Sequence, residues 1–202
     1  MSRYRTRSWR AFEPGSVAAP ERFASQERLR ILGLDPGSRK TGFGVIEWRA
    51  SQWQHVAHGC VAVPGGGGLA ERLHTIFQAL SELIAAHSPG EVAIERVFVN
   101  RNVDSALKLG QARGAALCAV PKGLPVFEYA PRAIKLALVG SGAAEKAQVA
   151  HMVRSLFGLQ AHLPADAADA LAVALCHAHS RGLRQLAAGS GALMPAGGGL
   201  AR

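Results

Sequence analysis

A chain of 202 residues is long enough for one domain with a sizeable core, and 49% hydrophobic with 18% charged residues excludes a wholly disordered protein. The formal net charge of +9 favours an anionic partner such as nucleic acid. Cys60, Cys118 and Cys176 form no CxxC motif and no apolar run approaches the roughly 20 residues of a membrane span, so we expect a protein of the reducing cytoplasm and no membrane partner.

The two ends of the chain differ in composition from its centre. Residues 1–28 combine Arg, Ser, Pro and Gly without periodicity, which predicts a disordered basic tail, or a start codon placed too early. The Arg-rich start faintly resembles an organelle transit peptide, but its three glutamates count against one. Residues 182–202 are rich in Gly and Ala and are also expected to be disordered. The folded domain is predicted to span residues 29–181.

Strand and helix patterns alternate through this central region. Short apolar runs bounded by turn residues predict strands at residues 30–35, 42–48, 53–63, 91–95 and 125–128. Apolar spacing with a helical period predicts helices at residues 69–86, 104–120, 131–139, 143–157 and 164–179. The order predicts an α/β protein in which helices flank a five-stranded mixed sheet.

Four acidic residues occupy positions from which they can meet. Asp35 and Glu95 each end an apolar strand, where a charge is costly unless it is paired or bound to metal. Asp166 and Asp169 share one face of the last predicted helix, among alanines. Such a cluster suits Mg²⁺-dependent phosphodiester hydrolysis, in which two ions activate the water and stabilise the leaving oxygen. Asp166 taken alone would equally serve as a favourable charge at a helix N-terminus.

The chain resembles the RuvC family of Holliday-junction resolvases over about residues 30–180, through ILGLDPGSRKTGFGVI, AIERVFVNRNVDSALKLGQARG, PVFEYAPRAIK, AEKAQVAHMVR and ADAADALAVALCHAH. The resemblance implies a ribonuclease-H-like fold and a homodimer that nicks two opposing strands of a four-way DNA junction during recombination and repair. It implies two Mg²⁺ ions per subunit, replaceable by Mn²⁺, and the branch-migration proteins RuvA and RuvB as partners. It makes the metal-binding and catalytic residues Asp35, Glu95, Asp166 and Asp169, although some members carry His at the position of Asp166.

The same resemblance assigns DNA contacts to four further residues, Phe98, Arg101, Lys135 and Lys146. The two lysines correspond to family lysines near the cleaved DNA, whereas isolated lysines more often lie on a solvated helix face. Phe98 follows the second acidic strand in a predicted loop, where its ring could stack on an unpaired base or pack against the next helix. Ala143 stands where the family often has a capping Ser, so the start of the helix that carries Lys146 is expected to fray.

Three other classes of protein match parts of this pattern. A strand followed by D-P-G-S-x-x-T-G also resembles the phosphate-binding hairpin of actin-like ATPases, but those proteins need two lobes and this chain has room for one. A nuclease of the same fold that acts on RNA would carry the same acids. A catalytically inactive DNA-binding module is disfavoured because the acidic set is intact.

A few other polar residues receive no catalytic role from the sequence. Cys176, His177 and His179 lie near a helix end without a second pair of ligands, so we do not expect zinc. Asp104 is predicted to cap the second helix. Glu128 also ends a strand and could support the acidic cluster from behind, but the sequence does not say how.

Overall fold

The computed structural model describes residues 28–63, 66–96, 103–159 and 163–190. The strands in these ranges are β1 (Leu29–Asp35), β2 (Lys40–Arg49), β3 (Gln52–Ala62), β4 (Glu91–Glu95) and β5 (Val126–Tyr129). The helices are α1 (Leu69–His87), α2 (Val103–Cys118), α3 (Pro131–Val139), α4 (Lys146–Phe157) and α5 (Ala165–Ser190). No helix in the described part of the chain is both long and apolar enough to span a bilayer. Phe98 and Arg101 lie outside the described residues.

The first three strands form an antiparallel meander. β1 pairs with β2 in a register that sets Asp35 opposite Gly42, and β2 pairs in turn with β3. Ala50 and Ser51 join β2 to β3, with φ angles of 51° and 61° in the left-handed region that a tight two-residue hairpin uses. The meander leaves the other side of β1 free to pair with a strand from later in the chain.

That strand is β4, which lies parallel to β1 and gives the sheet order β3-β2-β1-β4-β5. α1 forms the crossover that a parallel connection requires. Leu34 pairs with Ile94, so the next residues, Asp35 and Glu95, lie side by side at the carboxyl ends of the two parallel strands. The mixed five-stranded sheet predicted from the sequence is confirmed, and its topology brings two of the four acids together.

Helices cover both faces of the sheet and build two apolar layers. On one face α5, α3 and α4 pack around Leu171, Val153 and Ile134. On the other face α1 and α2 pack around residues such as Leu80 and Ile76. Leu171 and Leu80 are fully buried, so truncating either to Ala would cost about 2–5 kcal/mol of stability. Burial on both sides explains why β1 and β4 are almost continuously apolar.

α5 lies unusually close to the backbone of β1 and β2. A Cβ atom added to Gly42 would collide with the backbone carbonyl of Asp166. One added to Gly33 would collide with the carbonyl of Ala170 and lie 2.9 Å from the Cβ of Ala174. Glycine in the strands and alanine in the helix therefore allow this approach, which carries Asp166 and Asp169 toward the end of β1.

The structure corrects three local predictions. α4 begins at Lys146 and not at residue 143, because Glu145 is its N-cap and forms a capping box with Gln148; the fraying expected from Ala143 is therefore wrong. Asp104 lies inside the first turn of α2, where it pairs with Lys108 at 2.6 Å, and does not precede the helix as a cap. α5 continues past the predicted end at residue 179 as far as Ser190, over the first part of the expected tail. The domain limits at residues 29 and 181 stay predictions.

Candidate active site

Asp35 and Glu95 are in direct contact at the shared edge of β1 and β4. Their carboxyl groups are hydrogen-bonded to each other. Burial raises the pKa of Glu95 to about 8, and the hydrogen bond and charge of Asp35 add to that effect. Burial also raises the pKa of Asp35, with a contribution from the charge of Asp169. The raised pKa values favour one proton shared between these two neighbouring, half-buried carboxyl groups.

Asp169 comes from the opposite element, the second turn of α5, and faces Lys146 at the start of α4. The Nζ atom of Lys146 lies 2.5 Å from Oδ2 of Asp169. This hydrogen bond raises the pKa of Lys146, and the charges of Asp35 and Glu95 act in the same direction. The Lys146 side chain is 78% exposed, so the pair adds little to stability, about 0–1 kcal/mol. The Lys146–Asp169 pair therefore concerns the charge of the acidic cluster more than the stability of the fold.

Lys135 lies beside the same cluster, on α3. Together with Lys146, Glu95 and Asp169 it lines a cavity of about 230 Å³, whose remaining wall is apolar and includes Ile134. The capping box at Glu145 fixes the first turn of α4 and hence the place of Lys146. Both lysines proposed from the resemblance thus lie on one side of the acids.

Asp166 faces the other side. It acts electrostatically on Asp35, yet it lines a separate and wider groove of about 800 Å³, formed with the β1–β2 turn, the end of β3 and the start of α2. Arg39 and Lys40 belong to that groove. All four predicted acids therefore meet at one edge of the sheet, with cationic side chains on both sides.

The chemistry of this cluster fits a hard divalent cation. All four groups offer carboxylate oxygens, which Mg²⁺ and Mn²⁺ prefer. Within the described ranges no three such groups converge on one ion position; Asp35 is hydrogen-bonded to Glu95, and Lys146 contacts an oxygen of Asp169. The ammonium group of Lys146 offsets part of the negative charge of the neighbouring carboxyl groups.

Glu128, which received no role from the sequence, supports the end of β4. Arg113 on α2 donates from Nε to the backbone carbonyl of Glu95 at 3.3 Å. The Nη2 atom of Arg113 lies 2.9 Å from Oε1 of Glu128, as an ion pair whose angles fall short of a hydrogen bond. Arg96 approaches Glu128 at 3.6 Å and donates its backbone N–H to Tyr129. The sequence indicated Glu128 as an acid at a strand end, but it could not indicate Arg113 on α2 as its partner.

A second buried polar network was also missed by sequence reasoning. His177 is fully buried, and its ring nitrogens lie 2.7 Å from the Tyr129 hydroxyl and 2.6 Å from Oε2 of Glu91. Arg181 pairs with the other oxygen of Glu91 at 3.2 Å. Burial alone raises the pKa of Glu91, but the hydrogen bonds and charges of His177 and Arg181 outweigh burial and leave that pKa below its ordinary value. The network ties α5 to β4 and β5.

Comparison with known proteins identifies the family to which this chain belongs. The model of the family described as "Crossover junction endodeoxyribonuclease RuvC" matches residues 31–177. The chain belongs to the RuvC family. A RuvC from Alkalilimnicola ehrlichii is 60% identical over 151 residues, which cover 74% of this chain and 91% of that relative. A RuvC from Halorhodospira halophila is 57% identical over 164 residues, 81% of this chain and 98% of the relative.

Solved structures agree with this assignment. The structure described as T. thermophilus RuvC in complex with Holliday junction substrate has a TM-score of 0.72 and 35% sequence identity, and the match covers 77% of this chain and 96% of that one. The yeast mitochondrial Holliday junction resolvase Ydc2, at 13% identity and a TM-score of 0.56, shares the fold. The predicted ribonuclease-H-like fold is confirmed, and the chain is a RuvC-type endodeoxyribonuclease of a metal-dependent family.

Proposed function

We propose that this chain resolves Holliday junctions by paired, metal-dependent hydrolysis of phosphodiester bonds in two opposing strands, in recombination and repair. The observation that carries the proposal is the proximity of Asp35, Glu95, Asp166 and Asp169, from three separate elements, near the carboxyl ends of β1 and β4 in a RuvC-type sheet. The T. thermophilus relative, whose structure is described with a Holliday junction substrate, supports the choice of substrate.

The proposed cofactor is a pair of Mg²⁺ ions per subunit, with Mn²⁺ as a substitute, held by the same four acids. Such ions, when bound, supply activation of water and stabilisation of the leaving oxygen. Before it can act as a ligand, Glu95 must give up the proton that it shares with Asp35, because metal ligands bind as deprotonated groups. The two carboxyl groups are half-buried at the strand ends and hydrogen-bonded to each other, so they already lie side by side.

Lys135 and Lys146 are proposed to bind the DNA backbone beside the reacting phosphate. Lys146 is mostly exposed and already within the acidic cluster, so a phosphate oxygen can compete with Asp169 for its ammonium group. Lys135 shares the cavity with it and offers a second cation to the same strand. Phe98 and Arg101 are proposed to contact bases and backbone at the crossover; this role depends on the family resemblance, since both lie outside the described residues.

A homodimer is proposed because resolution needs two cuts and this chain carries one acidic set. α1 and α2 pack against each other and present exposed apolar side chains, with Val103 at 76% and Leu107 at 60% exposure. A two-fold interface formed there would match the near two-fold symmetry of a four-way junction. We also propose a cytoplasmic location and work alongside RuvA and RuvB, and membership of the family supports both.

The direct test compares cleavage of a labelled four-way junction, a linear duplex and an RNA–DNA hybrid, each with and without Mg²⁺. We expect symmetric nicks in the junction only, and only with the metal. Asp35→Asn keeps the shape of the side chain but removes its charge, so it should bind the junction and not cut it, because affinity comes mainly from cationic contacts to phosphate. Equal cleavage of the linear duplex or the hybrid would contradict the proposed function.

A further inference from the structure

The wide groove beside Asp166 points to a second contact with the substrate. We propose that this groove binds the backbone of the cleaved DNA strand on the side of the acids away from Lys135 and Lys146, with Arg39 and Lys40 as its phosphate-binding residues. The inference rests on the proposed function and adds a binding site to it. The groove has a volume of about 800 Å³ and opens from Asp166 past the β1–β2 turn toward Ser105 on α2.

The charges in this groove are not used by the fold. Arg39 and Lys40 are both exposed, and neither forms an ion pair with another residue in the described ranges. By contrast, Arg30, Arg113 and Arg181 are each paired with a glutamate. Two adjacent cations that form no ion pair with the described residues are available for a polyanion, and such contacts provide most of the affinity for DNA.

The turn that carries these two residues is held firmly from behind. Val63 donates its backbone N–H to the carbonyl of Arg39 at 3.0 Å. The buried hydroxyl of Thr41 approaches the carbonyl of Gly37 at 3.4 Å, and the guanidinium of Arg72 on α1 donates to the carbonyl of Ser38. The backbone is thus fixed before binding, so DNA would have to order only the two exposed side chains.

The position of the β1–β2 turn relative to the acids indicates where the cleaved DNA strand would run. Lys40 is two residues before Gly42, whose backbone lies against the carbonyl of Asp166. Asp166 therefore belongs both to the groove and to the acidic cluster, while Lys135 and Lys146 line a separate cavity together with Glu95 and Asp169. A DNA strand whose reacting phosphate lies at the acids continues in both directions from that phosphate. Lys135 and Lys146 would bind its backbone in one direction, and Arg39 and Lys40 in the other.

The first test measures the salt dependence of junction binding in the Asp35→Asn background, which prevents cutting. The slope of log K against log salt is negative, and Arg39→Ala/Lys40→Ala should reduce its magnitude by about 1–2, since each phosphate contact contributes roughly 0.9. Lys122→Ala/Arg154→Ala removes the same charge from exposed positions outside both sites and should lower the slope less. Thermal melting verifies that both variants fold. Equal slopes for the two double variants would overturn the proposal.

The second test locates the contact on the DNA. Single uncharged methylphosphonates are placed in turn on either side of the reacting phosphate, and junction affinity is measured for the Asp35→Asn protein with and without the groove substitutions. We expect a loss of affinity at one or two positions on one side that disappears in Arg39→Ala/Lys40→Ala and persists in the control. If every position behaves alike in both proteins, the groove does not bind the strand. Wild-type protein that neither binds nor cuts the junction would instead refute the proposed function.

Discussion

Arg113 donates a hydrogen bond from Nε to the backbone carbonyl of Glu95 at 3.3 Å, and its Nη2 atom forms an ion pair with Oε1 of Glu128 at 2.9 Å. α2 is thereby tied to the ends of β4 and β5 at the point where the acidic cluster begins. Because Glu95 is the last residue of its strand, the position of its carboxyl group depends on this backbone being held. Arg113 thus acts on the site through Glu95 without being one of its acids.

Arg113→Ala should therefore reduce cleavage more than it reduces binding. The loss of both contacts leaves the Glu95 carbonyl without its Arg113 donor and Glu128 with only Arg96 as an ion-pair partner among the described residues, at a cost of about 1–3 kcal/mol. We expect a lower single-turnover rate and a higher Mg²⁺ requirement at unchanged junction affinity, with partial rescue by Arg113→Lys. Arg30→Ala is the matched control: Arg30 also bridges a glutamate and a backbone carbonyl, but at the opposite end of β1. If both variants lose only stability, Arg113 is a structural residue.

Lys146 and Lys108 offer a comparison between two similar ion pairs. Lys146 pairs with Asp169 at 2.5 Å and Lys108 with Asp104 at 2.6 Å, and both lysines are largely exposed. Lys146→Gln and Lys108→Gln should each change stability by less than about 1 kcal/mol. Only Lys146→Gln should slow cleavage, by at least about tenfold, when single-turnover rates are measured at saturating protein. A normal rate for Lys146→Gln would remove it from the proposed site.

A mixed dimer tests the proposed symmetry. Wild-type and Asp35→Asn subunits with different tags are combined, and the heterodimer is isolated. It should keep one working site and release singly nicked junctions with few resolved duplexes, as measured on a plasmid-borne junction. The wild-type dimer, purified through the same two tags, should resolve junctions fully. Efficient resolution by the heterodimer would mean that one site serves both strands.

The Glu91–His177–Arg181 network predicts how stability depends on acid pH. The folded-state pKa of Glu91 lies below its ordinary value of 4.5, so its stabilising contribution is complete above that value and is lost as the pH falls through the lower folded-state value. Glu91→Gln should cost about 1–3 kcal/mol at pH 7 and progressively less below pH 4.5. Urea unfolding at several pH values measures the difference. Glu82→Gln, at an exposed position on α1, should match the wild type, and a constant deficit for Glu91→Gln at all pH values would contradict the prediction.

Sequence reasoning succeeded where a signal is local and regular. Short apolar runs bounded by turn residues predicted every described strand, and the acids at the ends of β1 and β4 could be found because charge at the end of an apolar strand is costly. Glu145 could not be predicted as the N-cap of α4, because Ser, Thr, Asp and Asn are the residues that usually take this position. Arg113 and the partners of His177 could not be predicted, since each contact joins residues on different elements whose approach depends on packing.

The close approach of α5 to Gly33 and Gly42 has a consequence for variation in this chain. Gly42→Ala would displace the backbone of Asp166, and so would move a catalytic candidate and loosen the central core in one step. A mutational library selected only for folded protein, with no assay of cleavage, should therefore still reject substitutions at these two glycines. Asp35, in contrast, should accept Asn in such a library, because its charge serves chemistry and not packing. The difference between the two selections would separate positions that shape the scaffold from positions that react.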